Sequence, residues 1–290
     1  METDVLVIGA GPAGLTAALQ LKRSGLDPFL VEKSSIGGSL LNARCIENYP
    51  GVPSGISGRE LARLLDEHIR DFGVEVHAIC VERLDRRGDG FMAACSQGDI
   101  FARAVIVASG GVPLHLGIPG EDAYSGKLVF HELKDLPEDA GRSACVIGGG
   151  DVAFDYALSL AESGIGVKLI MRSDRPRALK KLEAEAQRTP GIAIISQAEP
   201  IQFLKDSASV CIHFRDSSQS PLRCDFVLVA IGRRPNVDFL APELMKRSYP
   251  DLPLFFAGDV VNGSFRQVGI AVGDGLRCAM QVVQLLLELE

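Results

Sequence analysis

Gly9, Gly11 and Gly14, in the stretch Gly9-Ala10-Gly11-Pro12-Ala13-Gly14, have the types and spacing to cradle a pyrophosphate. The first glycine permits a tight turn, the second lets backbone approach the phosphates, and the third lets a helix pack closely on a strand. A helix opening here would point free N–H groups and the positive end of its dipole at the anion. Glu32, about 20 residues further on, has the position and chemistry to accept from a ribose hydroxyl. The same arrangement recurs at Gly148-Gly149-Gly150-Asp151-Val152-Ala153. Two such stretches in one chain imply two dinucleotides.

The second stretch ends differently. Where the first has Glu32, the second reads Met171-Arg172-Ser173, followed by Arg175, Arg177, Lys180 and Lys181. A carboxylate would hold a ribose 2′-hydroxyl, whereas arginine favours a 2′-phosphate. The expected nucleotide is therefore NADPH, with NADH as the alternative if these bases only form the solvated face of a helix from Ala178 onward.

Each glycine stretch needs a strand before it and a helix after it. Asp4–Ile8 supplies the first strand, a helix runs to about Ser24, and Pro28–Val31 forms the next strand, ending on Glu32. Ala144–Ile147, a helix to Ser163-Gly164 and the strand Gly166–Met171 repeat the unit. Such βαβ halves build parallel sheets, which makes the fold α/β. A helix is expected over Gly58–Phe72, and short strands over Ile192–Ile195, Glu199–Leu204, Val210–Phe214 and Phe226–Val229, the central pair as a hairpin. Passages between domains are expected within Ala104–Gly120 and near Asn236–Pro242. One domain would then comprise residues 1–115 and 243–290, and the other residues 116–242.

Composition narrows the function classes. The 290 residues can fill two ordinary domains. A net charge of -7 with interspersed signs gives no basic face for nucleic acid. No apolar run reaches the roughly 18 residues of a membrane span. Met1-Glu2-Thr3-Asp4 leads directly into an apolar strand, so no targeting peptide is expected and the expected location is cytoplasmic. The 7 cysteines, Cys45, Cys80, Cys95, Cys145, Cys211, Cys224 and Cys278, include no CxxC pair. With histidine scarce, this argues against a zinc site, and the odd, scattered set suits a reducing compartment. Cys80, Cys95, Cys145 and Cys211 lie in apolar runs and are expected to fill core. His68 is expected to be solvated, and His77, His115 and His213 have no partner at a spacing that suggests a site.

From end to end the chain resembles the two-dinucleotide-domain flavoproteins, and within them the thioredoxin reductase group. The resemblance rests on GAGPAG at Gly9–Gly14, IGGSL at Ile36–Leu40, ENYPG at Glu47–Gly51 and VIVASGGVP at Val105–Pro113. It continues through GGGDVA at Gly148–Ala153, IGRRPN at Ile231–Asn236, FFAGDV at Phe255–Val260 and FRQVGIAVGDG at Phe265–Gly275. It implies two doubly wound, Rossmann-like domains, a homodimer, and FAD and NADPH as cofactors. In that group FAD would be held by Gly9, Gly11, Pro12, Ala13, Gly14, Glu32, Lys33, Gly38, Ser39 and Leu40. Ala108, Ser109, Gly110 and Asp259 would add to that site, with Asn48 near the flavin ring. Arg266, Gln267 and Val268 would open the last helix towards the flavin. NADPH would be held by Gly148, Gly149, Gly150, Asp151, Val152, Ala153, Arg172, Arg177, Ile231 and Gly232. The group also rotates its NADPH domain during turnover.

The chain departs from this pattern at the reacting cysteines. Aligned back from Gly148 without a gap, the CxxC of thioredoxin reductases falls on His131 and Lys134. That segment reads either as an exposed loop or as one that sets His131 over the flavin as a proton donor. Cys45, in Gly37-Gly38-Ser39-Leu40-Leu41-Asn42-Ala43-Arg44-Cys45, matches the spacing of a flavin-side cysteine in the glutathione reductase group, and Arg44 beside it would favour a thiolate. The chain also ends at Leu285–Glu290 without the extension usual in ferredoxin–NADP⁺ reductases of this group, which would leave a flavin face open to a protein partner or a small oxidant. Three outcomes for the electrons follow: an external acceptor such as ferredoxin, a disulfide or persulfide reduced through Cys45, or a nucleotide-bound sensor without turnover.

Overall fold

The structure, a computed structural model, describes residues 1–245 and 252–287. The first elements are β1 (Glu2–Ile8), α1 (Pro12–Arg23), β2 (Pro28–Glu32), α2 (Gly58–Asp71), β3 (Val76–Ala78), β4 (Val81–Arg87), β5 (Gly90–Cys95) and β6 (Ile100–Val107). There follow β7 (Gly111–Pro113), β8 (Val129–Phe130), β9 (Ser143–Ile147), α3 (Asp151–Glu162), β10 (Gly166–Ile170), α4 (Lys180–Arg188) and β11 (Ile192–Ile195). The last are β12 (Pro200–Asp206), β13 (Ser209–Phe214), β14 (Leu222–Cys224), β15 (Phe226–Val229), β16 (Arg233–Pro235), β17 (Leu254–Phe256) and α5 (Val268–Leu287).

Two compact units emerge. The first comprises Met1–Leu41, Cys45–Val112 and Arg234–Glu290, and the second Asn42–Arg44 and Pro113–Arg233. In the first, the sheet runs β3-β2-β1-β6-β5-β4. β1 pairs in parallel with β2 and β6, and Val5, Leu6, Val7 and Ile8 are buried, as expected for a strand covered on both faces. β6 changes partner along its length: Ile100–Ala102 meets β5 antiparallel, and Val105–Val107 meets β17 parallel. That switch ties the C-terminal part of the chain into the N-terminal sheet. Behind it α1 packs on α5 closely enough that a Cβ on Gly275 would stand 2.1 Å from the Ala13 carbonyl oxygen.

The second unit has a five-stranded parallel sheet, β11-β10-β9-β15-β8. Phe154, Tyr156 and Leu158 of α3 fill one core cluster against it. An antiparallel trio, β12-β13-β14, closes the other face through Phe203, Val210 and Ile212. The fold is α/β, built on one mixed sheet with a parallel core and one parallel sheet, both of the dinucleotide-binding kind.

The expected hairpin is β12–β13; β14 and the β4–β5 hairpin are additions. One expectation needs correction. Of the four cysteines assigned to the core only Cys145 is buried, while Cys80, Cys95 and Cys211 are half-buried and Cys224 and Cys278 take the interior places. Cys80 lies in the break between β3 and β4, and Cys95, at the end of β5, packs only partly buried against the core cluster of Leu84, Phe91 and Ala93. Burial pushes the Cys278 thiol up to about 11. Among the described residues no helix is long and apolar enough to cross a membrane. The terminal acids Glu288 and Glu290 lie outside the described residues.

Candidate functional site

The first glycine turn joins β1 to α1. Gly9 has φ +106°, a left-handed conformation, and a Cβ there would stand 2.4 Å from the Ala108 carbonyl oxygen. A Cβ on Gly14 would stand 1.8 Å from the Gly9 carbonyl oxygen. Nothing lies within 4 Å of the Cβ direction of Gly11, so one face of the turn is open. Gly11 caps α1 without a side-chain bond and Pro12 occupies its first turn, leaving the helix N-terminus directed at that space. This is a cradle of the shape a pyrophosphate requires.

Glu32 ends β2 beside the turn. One of its carboxylate oxygens accepts from Ala10 N at 2.9 Å, and the other from Ser34 N at 2.9 Å and Ser34 Oγ at 3.1 Å. These bonds fix the carboxylate and leave it further acceptor capacity for a ribose. Lys33 and Ser39 are exposed, and Leu40 is buried in the short helical turn Gly38–Asn42. Gly38 comes up against the open turn, its Cβ direction 3.5 Å from Gly11 Cα. Asn48 and Gln267, 219 positions apart, meet through Asn48 Nδ2 donating to Gln267 Oε1 at 2.8 Å.

Other residues expected here do structural work. Ala13 is buried against Gly258 and Gly275. Ser109 Oγ donates to the Asn236 carbonyl at 2.6 Å, and Asn236 N donates to the Gly110 carbonyl at 3.0 Å. Ala108 closes the floor beneath Gly9. Asp259 and Val260 follow Gly258, whose N–H donates to the buried Asp274 at 3.2 Å. Asn262 Nδ2 donates to the same Asp274 and to the Gly258 carbonyl. Asp274 stands in the stretch Phe265–Gly275, where nothing in its spacing marks it as the partner of Gly258. Arg266, Gln267 and Val268 lie at the start of α5.

The second turn repeats the geometry between β9 and α3. A Cβ on Gly148 (φ +151°) would stand 2.2 Å from the Ala230 carbonyl oxygen, and Gly150 faces open space. Gly149 sits over Met171, and its carbonyl accepts from Arg177 N at 2.7 Å. Val152 is exposed at the helix start and Ala153 is buried. Asp151 accepts from Leu179 N at 2.8 Å, so it secures the basic loop beyond β10. Ile231 and Gly232 follow β15, and the Gly232 carbonyl accepts from Leu114 N at 2.9 Å. Arg172 lines a shallow pocket with Gln197, Glu199, Arg215 and Asp216. Glu199 is gripped by Arg215 at 2.8 and 3.0 Å. Hydrogen bonding to Arg215, with the Arg172 charge contributing, lowers the Glu199 carboxyl below its ordinary value.

Residues 3–275 match the family model for pyridine nucleotide-disulphide oxidoreductases. The chain belongs to this family.

Among its relatives are the thioredoxin reductase of Mycolicibacterium smegmatis, 31% identical over 96% of this chain and 94% of that one. The ferredoxin–NADP reductase of Ignicoccus hospitalis is 35% identical over 80% of this chain and 77% of that one. The crystal structure of Lactococcus lactis thioredoxin reductase superposes with a TM-score of 0.86 at 29% identity, covering 99% of both chains. This pyridine nucleotide-disulphide oxidoreductase is an NAD(P)H-dependent flavoprotein enzyme, and the family implies binding of FAD and NADPH.

The segment after β8 carries a polar network. Glu132, passed over in the sequence, is its centre. One oxygen accepts from Arg233 Nη1 at 2.6 Å and Asn42 Nδ2 at 3.2 Å, and the other lies 3.3 Å from Lys134 Nζ. Asn42 Oδ1 accepts from Lys134 N at 3.0 Å. Burial alone would raise the Glu132 carboxyl; Arg233 and Lys134 outweigh it and hold it below its ordinary value. His131 lies beside this network, with Nε2 3.0 Å from Glu121 and its ring stacked on His115.

Arg44, beside Cys45, is engaged by three acids. Its guanidinium reaches Asp155 at 3.5 Å, Glu162 at 2.5 Å and Glu185 at 3.0 Å, and its backbone N–H donates to Asp155 at 2.9 Å. Its charge is paired within the second unit. Cys45 itself is half-buried near Gly55.

Proposed function

We propose that this chain takes reducing equivalents from NADPH and passes them, through bound FAD, to an external electron-accepting protein of the ferredoxin kind. The observation that carries this reading is the pair of complete glycine cradles, open at Gly11 and Gly150, in a chain without any CxxC pair. The Ignicoccus relative lends further support. FAD, when bound, supplies hydride acceptance and electron release. The chain's own residues bind and orient. The Gly11 backbone and the N-terminus of α1 face the pyrophosphate, and Glu32 faces the ribose. Asn48 and Gln267, which fix each other, would lie at the flavin edge, where the N-terminus of α5 would favour negative charge. At the second cradle Arg172 and Arg177 favour a 2′-phosphate, which selects NADPH over NADH.

A homodimer accords with the exposure of Ile270, Leu276 and Met280 on α5. A reducing compartment such as the cytoplasm accords with seven free cysteines. A disulfide reductase working through Cys45 is disfavoured by the engagement of Arg44.

The test is an anaerobic mix of the FAD-loaded protein with NADPH and separately with NADH, followed at the oxidised flavin band. Rapid bleaching, faster with NADPH, and reoxidation by added ferredoxin are expected. Cys45→Ser should leave both phases intact. If neither nucleotide bleaches the flavin, the donor assignment fails. If Cys45→Ser abolishes reoxidation and a disulfide substitutes for ferredoxin, the acceptor assignment fails.

A further inference from the structure

We propose that His115, Glu121 and His131 form a binding site for one divalent transition-metal ion of the zinc class. All three belong to the second unit, and the site is independent of the electron-acceptor reading. One ligand atom from each residue lies within 4.8 Å of the other two. The pair His131 Nε2 and Glu121 Oε1 is already 3.0 Å apart, against roughly 3.3 Å between neighbouring donors around a tetrahedral centre with bonds of about 2.0–2.1 Å.

Glu121 is built for this place. It is 1% exposed, and its carboxylate accepts from Leu116 N at 3.0 Å and Gly117 N at 2.7 Å. Those backbone bonds aim one oxygen at His131, whose side chain is 10% exposed. A buried carboxylate and a nearly buried imidazole thus present a fixed half of a coordination shell. His115 supplies the adjustable half. Its ring stacks on His131 with centroids 4.1 Å apart, its side chain is 49% exposed, and its Nδ1 lies 3.3 Å from Asp122. Rotation of this exposed side chain brings its nitrogen into the shell, and Asp122 can orient the ring from outside, as carboxylates do for metal-bound histidines.

The donor set, two imidazoles and one carboxylate with a fourth position for water, is that of a borderline-soft ion and not of magnesium or calcium. The scarcity and spacing of histidine and cysteine argued against zinc. The fold overrides that by folding the turn at 116–121 back beneath His131, so residues without a recognisable spacing converge. Bound metal would staple the loop carrying His115 to the segment after β8 and hold His131 as a ligand, away from any role as proton donor.

The experiment is equilibrium dialysis of the chelator-treated, FAD-loaded full chain against zinc, with protein-bound zinc counted by elemental analysis. Wild type is expected to bind one zinc per chain. His115→Ala, an exposed change that keeps the Glu121 bonds, should weaken binding at least about tenfold. His131→Gln should weaken it as well, while Cys80→Ser and Cys95→Ser should not. A cobalt difference spectrum should show d–d bands without thiolate charge transfer. Unchanged affinity in His115→Ala, loss in either cysteine variant, or no stoichiometric binding would overturn the proposal.

Discussion

A methyl group on Gly14 would stand 1.8 Å from the carbonyl oxygen of Gly9, whereas a methyl group on Gly11, three residues earlier, would meet nothing within 4 Å. The two glycines therefore serve different ends. Gly14→Ala must push α1 off the turn, and overpacking of this kind costs about 1–3 kcal/mol or more. Gly11→Ala should leave the empty protein as stable as wild type and lower FAD affinity at least about tenfold, about 1.4 kcal/mol. Thermal unfolding of the flavin-free variants, with flavin retention on gel filtration, separates the two. Equal stability of both variants would refute the division of labour.

At the second cradle, Arg172 is exposed and shares its pocket with Glu199. Removing a charge-assisted contact to a phosphate costs about 1.5–3 kcal/mol. Arg172→Ala should thus lower kcat/KM for NADPH by about tenfold or more and leave NADH within about twofold. Equal losses for both nucleotides would show that Arg172 does not read the 2′-phosphate.

Glu132 is the hub of a nearly buried network, with side-chain exposures of 14% for itself, 17% for Arg233 and 16% for Lys134. Deleting it removes the carboxylate that Arg233 and Lys134 share, and loss of one partner from such a cluster costs about 3–5 kcal/mol. Glu132→Ala should lower the unfolding free energy by that amount, while Glu132→Gln recovers part through the Asn42 and Arg233 bonds. Denaturant titration of the three proteins checks this, and an unchanged midpoint for Glu132→Ala would sink it.

Burial, the largest influence on Asp155, lifts its carboxyl above the ordinary value; Arg44 offsets part of this and Glu162 adds to it. The folded protein therefore holds this proton more tightly than the unfolded chain. Asp155's contribution favours folding at low pH and is lost as pH rises through its folded-state pKa. Relative to Asp155→Asn, wild type should lose stability as the pH rises above about 4, the ordinary carboxyl value, and through the higher folded-state value. A difference that is flat, or of opposite sign, would mean that Arg44 dominates burial.

The sequence by itself determined both glycine turns, their strands and helices, and the α/β class. These are local facts: a strand of consecutive apolar residues, a turn that needs glycine, and a helix with a fixed period lie within about 30 residues of one another. Glu32 was legible for the same reason, since its distance from Gly9 is fixed by one βαβ unit. Tertiary structure decided the rest. Asn48 meets Gln267 across 219 positions, and Glu132 gathers Asn42 and Arg233 from 90 positions before and 101 after. His115, Glu121 and His131 converge only because the turn bonded to Glu121 folds back on itself. Arg44 illustrates the same limit: its sequence neighbour is Cys45, but its charge is spent on Asp155, Glu162 and Glu185, at least 111 positions away. Periodicity encodes which face of an element is covered, whereas the partners of a polar side chain depend on how sheets and loops pack, which no spacing along the chain records.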